Sequence, residues 1–245
     1  MIAYGKQPVH YPCAAVGEIH TDIPGQPRIS VPGTECLIVE GDSAAKSVDQ
    51  VRCTQQQAIL ALQGKPLNAA KASRATAINN EIFQRIFETL LGRRRGGTMD
   101  AGELYRQLAD PAACVYEKLV LLMDPDADGI HCGVLMMAFF RRFAPDLIRA
   151  GRVIVVRPPM FVFRLPDQPQ LDVPQWPVAS SPEHAAAIEQ TLREHNIDRF
   201  EKTRHRGLGS LDSSLLRHSS VDPTSRREHR LTVPEVDTAI TMFGG

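Results

Sequence analysis

The sequence predicts an α/β fold: a mostly parallel four-stranded sheet with helices on both faces, plus a small helical, basic C-terminal tail. Short apolar runs of strand length occur at residues 35–40, 57–62 and 119–123, and each is followed by turn-forming residues. Apolar residues at helical spacing follow at 78–91 and 131–143. Continuous apolar strands that alternate with helices are typical of parallel sheets, whose strands are buried on both faces.

The elements before the central strand follow from local composition. Residues 1–32 are rich in proline and glycine, which predicts an irregular N-terminal lead-in. The domain itself is predicted to span residues 33–164. Its first strand is followed by a helix over 44–52, for which Asp42 or Ser43 is the expected N-terminal cap.

The chain after the central helix is predicted from its prolines and its charges. A short helix over 145–150 begins at a proline, which is favoured in the first turn. Two apolar runs on either side of a Pro-Pro pair predict a β-ribbon over 153–163. Residues 165–182 are predicted to form a proline-rich connection, and residues 183–245 the basic helical tail.

Composition excludes several classes of protein. The 245 residues carry a formal net charge of zero, so any nucleic-acid binding must depend on a local patch such as the basic stretch at 199–230. The five cysteines are odd in number and form no C-x-x-C pair, which argues against a disulfide framework or a zinc site. No segment approaches the about 18 apolar residues of a membrane span, and no G-x-x-x-x-G-K-[ST] loop offers an ATP site. We therefore expect a cytoplasmic protein that acts without a membrane.

Three aspartates, Asp124, Asp126 and Asp128, follow the central apolar run at alternate positions. A calcium-binding EF-hand loop begins in the same way, but it needs a glutamate at its twelfth position, where this chain has Leu135. A solvated turn is the second alternative, because Asp, Pro and Gly favour turns. A Mg²⁺ site is the third, since three anions this close repel one another unless a cation lies between them.

A further carboxylate, Glu40, stands at the end of the first predicted strand. The carboxyl ends of parallel strands lie at one edge of a sheet, so we expect Glu40 and the three aspartates to converge although they are far apart in sequence. Carboxylates around Mg²⁺ suit phosphoryl chemistry, and a glutamic acid can also transfer a proton. The sequence thus predicts a magnesium-dependent site at this edge.

A colinear set of motifs extends from about residue 33 to the C-terminus, with a gap over the proline-rich stretch. The motifs are VEGDSA from residue 39, QAIL from 57, GKPLN from 64, MDPDADGIH from 123, RPP from 157, RGLG from 206 and VDP from 221. In this order they resemble the TOPRIM domain of type IIA DNA topoisomerases, and the gyrase B subunit in particular. The resemblance corresponds to the C-terminal half of such subunits, without their ATPase and transducer domains.

The resemblance implies roles for the four acids. Glu40 corresponds to the catalytic glutamate, which would also hold a first Mg²⁺ with Asp124. Asp124 and Asp126 would hold a second ion, and Asp128 would support the cluster. Mn²⁺ is expected to substitute for Mg²⁺. In the family, a tyrosine of a partner A-type subunit attacks a DNA phosphodiester and forms a reversible phosphotyrosine link.

The same resemblance implies a DNA-facing surface. The positions expected to contact double-stranded DNA or the partner are Lys65, Asn68, Arg206, Gly207, Gly209 and the basic pair Arg226-Arg227. One departure lies next to the glutamate motif, where Ala45-Lys46 stands in place of two glycines of the family pattern.

Three functions remain open from the sequence. The first is a DNA topoisomerase (ATP-hydrolysing, type IIA) subunit that is incomplete alone: a fragment or a separately encoded half, with a separate ATPase chain as a further partner. The second is a catalytically degenerate gyrase B-like paralogue that binds DNA or a partner. The third is another TOPRIM enzyme, such as a primase, a nuclease or a type I topoisomerase. For the first two we expect association with the nucleoid.

Overall fold

A computed structural model describes residues 8–19, 29–93, 101–166 and 175–243. Its strands are β1 (Val9–Tyr11), β2 (Val31–Val39), β3 (Gln57–Ala61), β4 (Tyr116–Leu121), β5 (Val153–Val155), β6 (Phe161–Arg164), β7 (Val178–Ala179), β8 (Glu201–Arg204) and β9 (His229–Arg230). Its α-helices are α1 (Ala14–Ile19), α2 (Asp42–Asp49), α3 (Arg74–Ile78), α4 (Glu81–Leu90), α5 (Ala101–Leu108), α6 (Ala127–Phe143), α7 (Pro145–Arg149), α8 (Pro182–Glu194), α9 (Ser213–Leu216) and α10 (Val233–Phe243). Among these described residues, no helix is both long and apolar enough to cross a membrane.

The central sheet has the strand order β1-β3-β2-β4-β5-β9. Its four inner strands are parallel, and the short outer strands β1 and β9 pair antiparallel to them. The predicted α/β class with a mostly parallel sheet is therefore confirmed, although the sheet has six strands rather than four. Both edge strands come from segments whose apolar runs are too short to stand out in the sequence.

Helices cover both faces of this sheet, as predicted. On one face α4 and α6 pack through a cluster of phenylalanines, with the Phe83 and Phe139 ring centroids 5.0 Å apart. On the other face α2 and α9 cover the sheet through small and branched side chains such as Ala45 and Leu215. The inner strands are buried on both sides, which explains why their sequences are continuously apolar.

The predicted β-ribbon over residues 153–163 is wrong. β5 lies in the central sheet beside β4, whereas β6 is the middle strand of a separate three-stranded antiparallel sheet with the order β7-β6-β8. Pro158 and Pro159 lie between the two strands, and neither offers an N–H group for a hairpin ladder. The two apolar runs therefore belong to two different sheets.

Three further boundaries differ from the prediction. The lead-in is not wholly irregular, because β1, α1 and the start of β2 fall within it; residues 1–7 and 20–28 of it lie outside the described residues. The proline-rich connection contains β7, and its residues 167–174 also lie outside the described part. The C-terminal tail contains β8 and β9 besides its helices.

Two helix predictions also need correction. α2 begins at Asp42 with Gly41 as its N-terminal cap residue, so neither Asp42 nor Ser43 caps it. The helix predicted over 78–91 corresponds to α4 but begins later, at Glu81, because the Asn80 side chain accepts a hydrogen bond from the Phe83 N–H and caps it; Ile78 is the last residue of α3.

A buried ion pair joins the C-terminal region to the amino end of the central sheet. The guanidinium of Arg226 donates to both carboxylate oxygens of Glu35, at 2.5 and 3.0 Å, and also to Glu228. Gln57 donates to Glu35 as well, at 2.9 Å. The Arg226 side chain is fully buried, so its expected place on a DNA-facing or partner-facing surface is wrong. Arg227, its neighbour, is exposed.

We predict that Arg226→Ala lowers the free energy of unfolding by about 3–5 kcal/mol, because it leaves the buried Glu35 carboxylate without its partner. Urea unfolding monitored by circular dichroism measures this change. Arg227→Ala is the matched control, since an exposed side chain at the adjacent position should change stability by less than about 0.5 kcal/mol. Equal stability of the two variants would contradict the assignment.

Candidate functional site

Glu40 and Asp124 follow neighbouring strands of the central sheet. β2 and β4 are hydrogen-bonded neighbours, and Ile38 pairs with Leu121 near their carboxyl ends. The main chain around Glu40 is held on its other side, where its carbonyl oxygen accepts the Gln63 N–H at 3.1 Å. Both carboxylates therefore emerge at the same edge of the sheet.

The pKa values show that the acids at this edge act on one another. Burial raises the pKa of Glu40, and the charges of Asp124, Asp126 and Asp128 raise it further, while Lys65 opposes them. Burial also raises the pKa of Asp124, with a smaller contribution from Asp126. The structure thus brings all three predicted aspartates within electrostatic reach of Glu40.

Asp126 and Asp128 each have a local partner. The Asp126 side chain is the N-terminal cap of α6 and accepts the Gly129 N–H at 2.9 Å. Asp128 lies in the first helical turn, and its carboxylate is 2.7 Å from the Lys65 ammonium. The hydrogen bond and the charge of Lys65 lower the pKa of Asp128. These two aspartates therefore shape the loop besides adding charge to it.

Gly129 is required by the tight turn that follows Asp124. A Cβ atom at this position would lie 2.1 Å from the Asp124 carbonyl oxygen, so any other residue would force the loop to move. The glycine allows α6 to begin close behind β4, and this holds the aspartates at the sheet edge.

The segment 207–209 packs directly onto the acidic edge. The Leu208 N–H donates to Asp124 Oδ1 at 3.0 Å, and the Leu208 side chain is fully buried in the core on that face. A Cβ atom at Gly207 would lie 2.8 Å from Asp124 Oδ2, and one at Gly209 would lie 3.0 Å from Ser43 Oγ. Both glycines, expected to contact DNA, are thus needed for close packing against the acidic loop and α2.

The remaining predicted DNA contacts are distributed around this edge. Lys65 is exposed but paired with Asp128. Asn68 is half-buried, and its side-chain oxygen accepts the Ala70 N–H at 3.0 Å. Arg206 is exposed and has no hydrogen bond or ion pair with other described residues. Of the three side chains, only that of Arg206 is therefore uncommitted.

Sequence reasoning missed two residues that shape the site. Gln63 has a positive φ of 62°, and its side chain donates to the Asp42 carboxylate at the start of α2. Leu208 holds Asp124 through its main chain, so its side-chain type carries no signal of this role. The sequence signal for the role of Gln63 is its position between the end of a strand and a glycine.

The donor chemistry of the edge fits a hard divalent cation, but the structure does not provide a complete protein cage. In the described part of the chain, no three His, Cys, Asp or Glu side chains are arranged to hold one ion. Mg²⁺ commonly takes one or two carboxylates and completes its shell with water and phosphate oxygens. Glu40 and Asp124 fit that kind of site, because they follow neighbouring parallel strands and are carboxylates at the same edge of the sheet.

We predict that Gly207→Ala lowers the free energy of unfolding by about 1–3 kcal/mol, because its methyl group displaces the Asp124 carboxylate from the Leu208 N–H. Urea unfolding measures the loss, and amide hydrogen exchange should show faster exchange at Leu208. Gly17→Ala is the control, since a Cβ atom there meets nothing within 4 Å. Unchanged protection of Leu208 in the Gly207 variant would disprove the contact.

Comparison with known proteins gives a consistent result. The Toprim domain family matches residues 35–158. The DNA gyrase B subunit of Treponema denticola is 32% identical over 209 residues, which are 85% of this chain and 30% of that protein. The DNA gyrase B subunit of Streptococcus pneumoniae is 29% identical over 212 residues, 86% of this chain and 30% of that protein. The DNA topoisomerase 4 B subunit of Caulobacter vibrioides is 32% identical over 214 residues, 86% of this chain and 28% of that protein.

The chain spans less than a third of the length of these relatives. Its similarity to them extends well beyond the matched domain and takes in most of the chain, including regions outside the central sheet. The chain therefore belongs to the Toprim domain family and is a type IIA topoisomerase-like module similar to the B subunits of DNA gyrase and topoisomerase 4.

Proposed function

We propose that this chain supplies the acidic half of a DNA cleavage and rejoining site of the type IIA kind, in which Glu40 and Asp124 bind Mg²⁺. Asp126 adds a carboxylate for a second ion, and Asp128 supports the cluster. A partner A-type subunit would provide the attacking tyrosine. The observation that carries the proposal is the convergence of Glu40 with the aspartate loop at the carboxyl ends of β2 and β4.

Glu40 is the residue best suited to move a proton. Attack by a tyrosine hydroxyl on a DNA phosphodiester forms a bond from the tyrosine oxygen to phosphorus and breaks the bond from phosphorus to a deoxyribose oxygen. The tyrosine hydroxyl loses a proton in this exchange, and the leaving oxygen takes one up. The carboxyl group of Glu40 lies at this edge, and a glutamic acid placed there can give a proton in cleavage and take it back in rejoining. The chemistry that Mg²⁺ supplies when bound is stabilisation of negative charge on phosphate oxygens.

The DNA contacts follow from the same edge. Arg206 is exposed beside the segment that holds Asp124 and is suited to a phosphate contact. Lys65 would need to exchange its pairing with Asp128 for a phosphate, and Asn68 would contribute from the same loop. Gly207 and Gly209 could touch DNA only through their main chain. We further propose a cytoplasmic, nucleoid-associated location, with double-stranded DNA, the A-type subunit and a separate ATPase chain as partners.

A cleavage assay tests this proposal. The chain is mixed with an A-type gyrase subunit, supercoiled plasmid and Mg²⁺, and protein-linked DNA breaks are trapped with detergent. We expect Glu40→Gln to reduce the breaks by about 10²–10⁴-fold, the contribution of a positioned acid–base group. Glu201→Gln, an exposed glutamate of β8, is the control and should cleave normally. Equal cleavage by the Glu40 variant and the wild type would refute the role of Glu40.

A non-enzymatic module that binds DNA or a partner is the second candidate. This candidate is favoured because each of the three aspartates already has a partner within the protein. Asp126 caps α6, Asp128 pairs with Lys65, and Asp124 accepts the Leu208 N–H. The described residues also lack a preformed three-ligand cation site. In such a module the carboxylates would stabilise the loop rather than hold a metal.

Calorimetric titration with Mn²⁺ and Mg²⁺ distinguishes the two candidates. For the enzyme subunit we expect saturable binding that weakens roughly ten-fold or more in Asp124→Asn, because a hard cation depends on the charge of its carboxylate ligands. Asp198→Asn, an exposed aspartate distant in sequence, should bind as the wild type does. No binding at millimolar metal would favour the module.

A further inference from the structure

A second cleft lies between the central sheet and the three-stranded sheet. One side is formed by the chain that leaves β5, and the other by β7 and the start of α8. Its volume is about 930 Å³, within the roughly 300–1,000 Å³ that is usual for small-molecule sites. None of Glu40, Asp124, Asp126 and Asp128 lines it, so it is separate from the acidic edge.

The charged groups of the cleft leave a positive surplus. Glu228 is occupied by Arg226 and Lys118, and Glu235 accepts hydrogen bonds from Thr232 and pairs with His229 at 3.1 Å. Glu228 is thus paired with two cations, and Glu235 already has hydrogen-bond partners within the protein.

Four other basic side chains of the same cleft have no such partners among the described residues. Arg157 and Arg227 are exposed and make no hydrogen bond or ion pair with any described residue. The imidazoles of His184 and His218 also line the cleft without a side-chain partner among the described residues. Two permanent cations and two further donors therefore face one space.

Apart from Ser180, Ser219 and Ser225, the remaining lining is apolar, and it includes the only tryptophan of the chain. Trp176 is half-buried, and Val155, Pro159, Ile188 and Leu215 lie around the same cavity. The Arg164 guanidinium lies over this indole ring, 5.8 Å from its centroid, so an aromatic ring would stack on the opposite face or displace Arg164. The cleft thus combines basic side chains that can bind an anion with an apolar surface.

We propose that this cleft binds a nucleoside phosphate, with its phosphate at Arg157 and Arg227 and its base against Trp176. Arginine forks match phosphate geometry, and a phosphate monoester carries about −1.5 to −2 charges at neutral pH. The charge of a phosphate monoester matches the two positive charges of Arg157 and Arg227 more closely than the single negative charge of a carboxylate would. The ligand can come from a free nucleotide or from the phosphorylated end of a DNA strand. The proposal goes beyond the metal-dependent function and does not depend on it.

Fluorescence of the single tryptophan reports on this cleft without a label. The full chain is titrated with AMP, adenosine, inorganic phosphate, and an oligothymidylate with and without a 5′-phosphate, with excitation at the red edge of indole absorption. Calorimetry in parallel detects any binding that leaves the fluorescence unchanged. All titrations contain EDTA, so that metal at the acidic edge plays no part and failure of the proposed function leaves the result unaffected.

We expect saturable binding of AMP at least about ten-fold tighter than that of adenosine or inorganic phosphate. Arg157→Ala and Arg227→Ala should each weaken it by roughly ten-fold to a hundred-fold, the value of hydrogen bonds to a charged group. Arg204→Ala, an exposed arginine of β8 outside the cleft, should bind as the wild type does.

The outcomes separate the two sources and can overturn the proposal. Binding of AMP supports a free nucleotide, whereas binding of the 5′-phosphorylated strand alone supports a DNA end. Inorganic phosphate binding as tightly as AMP would overturn the proposal, because no base would then be recognised. Absence of binding by every probe in both measurements, or binding unchanged in both arginine variants, would overturn it as well.

Discussion

Electrostatic repulsion among carboxylates at one sheet edge is the constraint on which the rest of this structure depends. Glu40 and the aspartate loop converge because β2 and β4 are parallel neighbours. Burial raises the pKa of Glu40, and the charges of the three aspartates raise it further. Each compensating element is found nearby. The ammonium of Lys65 faces Asp128, the Leu208 N–H faces Asp124, and α6 presents the positive end of its dipole to the loop.

These positive groups offset the repulsion among the carboxylates only in part, and the remaining repulsion is relevant to function. Asp126 and Asp128 have local partners, whereas Glu40 and Asp124 keep raised pKa values in spite of Lys65 and the Leu208 N–H. A bound cation would favour the ionised forms of Glu40 and Asp124, against both their burial and the neighbouring negative charges. The geometry that brings these carboxylates together destabilises the folded state, and it also makes the edge a suitable place for a divalent cation.

The sequence predicted the parallel sheet because continuous apolar runs such as 119–123 have few other structural explanations. It also predicted which carboxylates meet, since strand direction alone fixes the edge to which they belong. It could not predict the sheet to which residues 160–163 belong, because an apolar run does not show which strand it pairs with. The sequence led to the wrong prediction that Arg226 lies on the surface. The charge of a side chain does not indicate that its partner is a buried residue as distant in sequence as Glu35.

The C-terminal region is an integral part of the candidate site rather than an appended tail. Arg226 fixes it to the amino end of the central sheet through Glu35, and Leu208 fixes it to the carboxyl end through Asp124. Both Arg226 and Leu208 lie outside residues 35–158, which match the Toprim domain. A substitution that loosens the contact between Leu208 and Asp124 would therefore disturb the acidic edge from outside the domain that carries it. Since Leu208 acts through its main chain, the packing at Gly207 and Gly209 determines how Asp124 is presented.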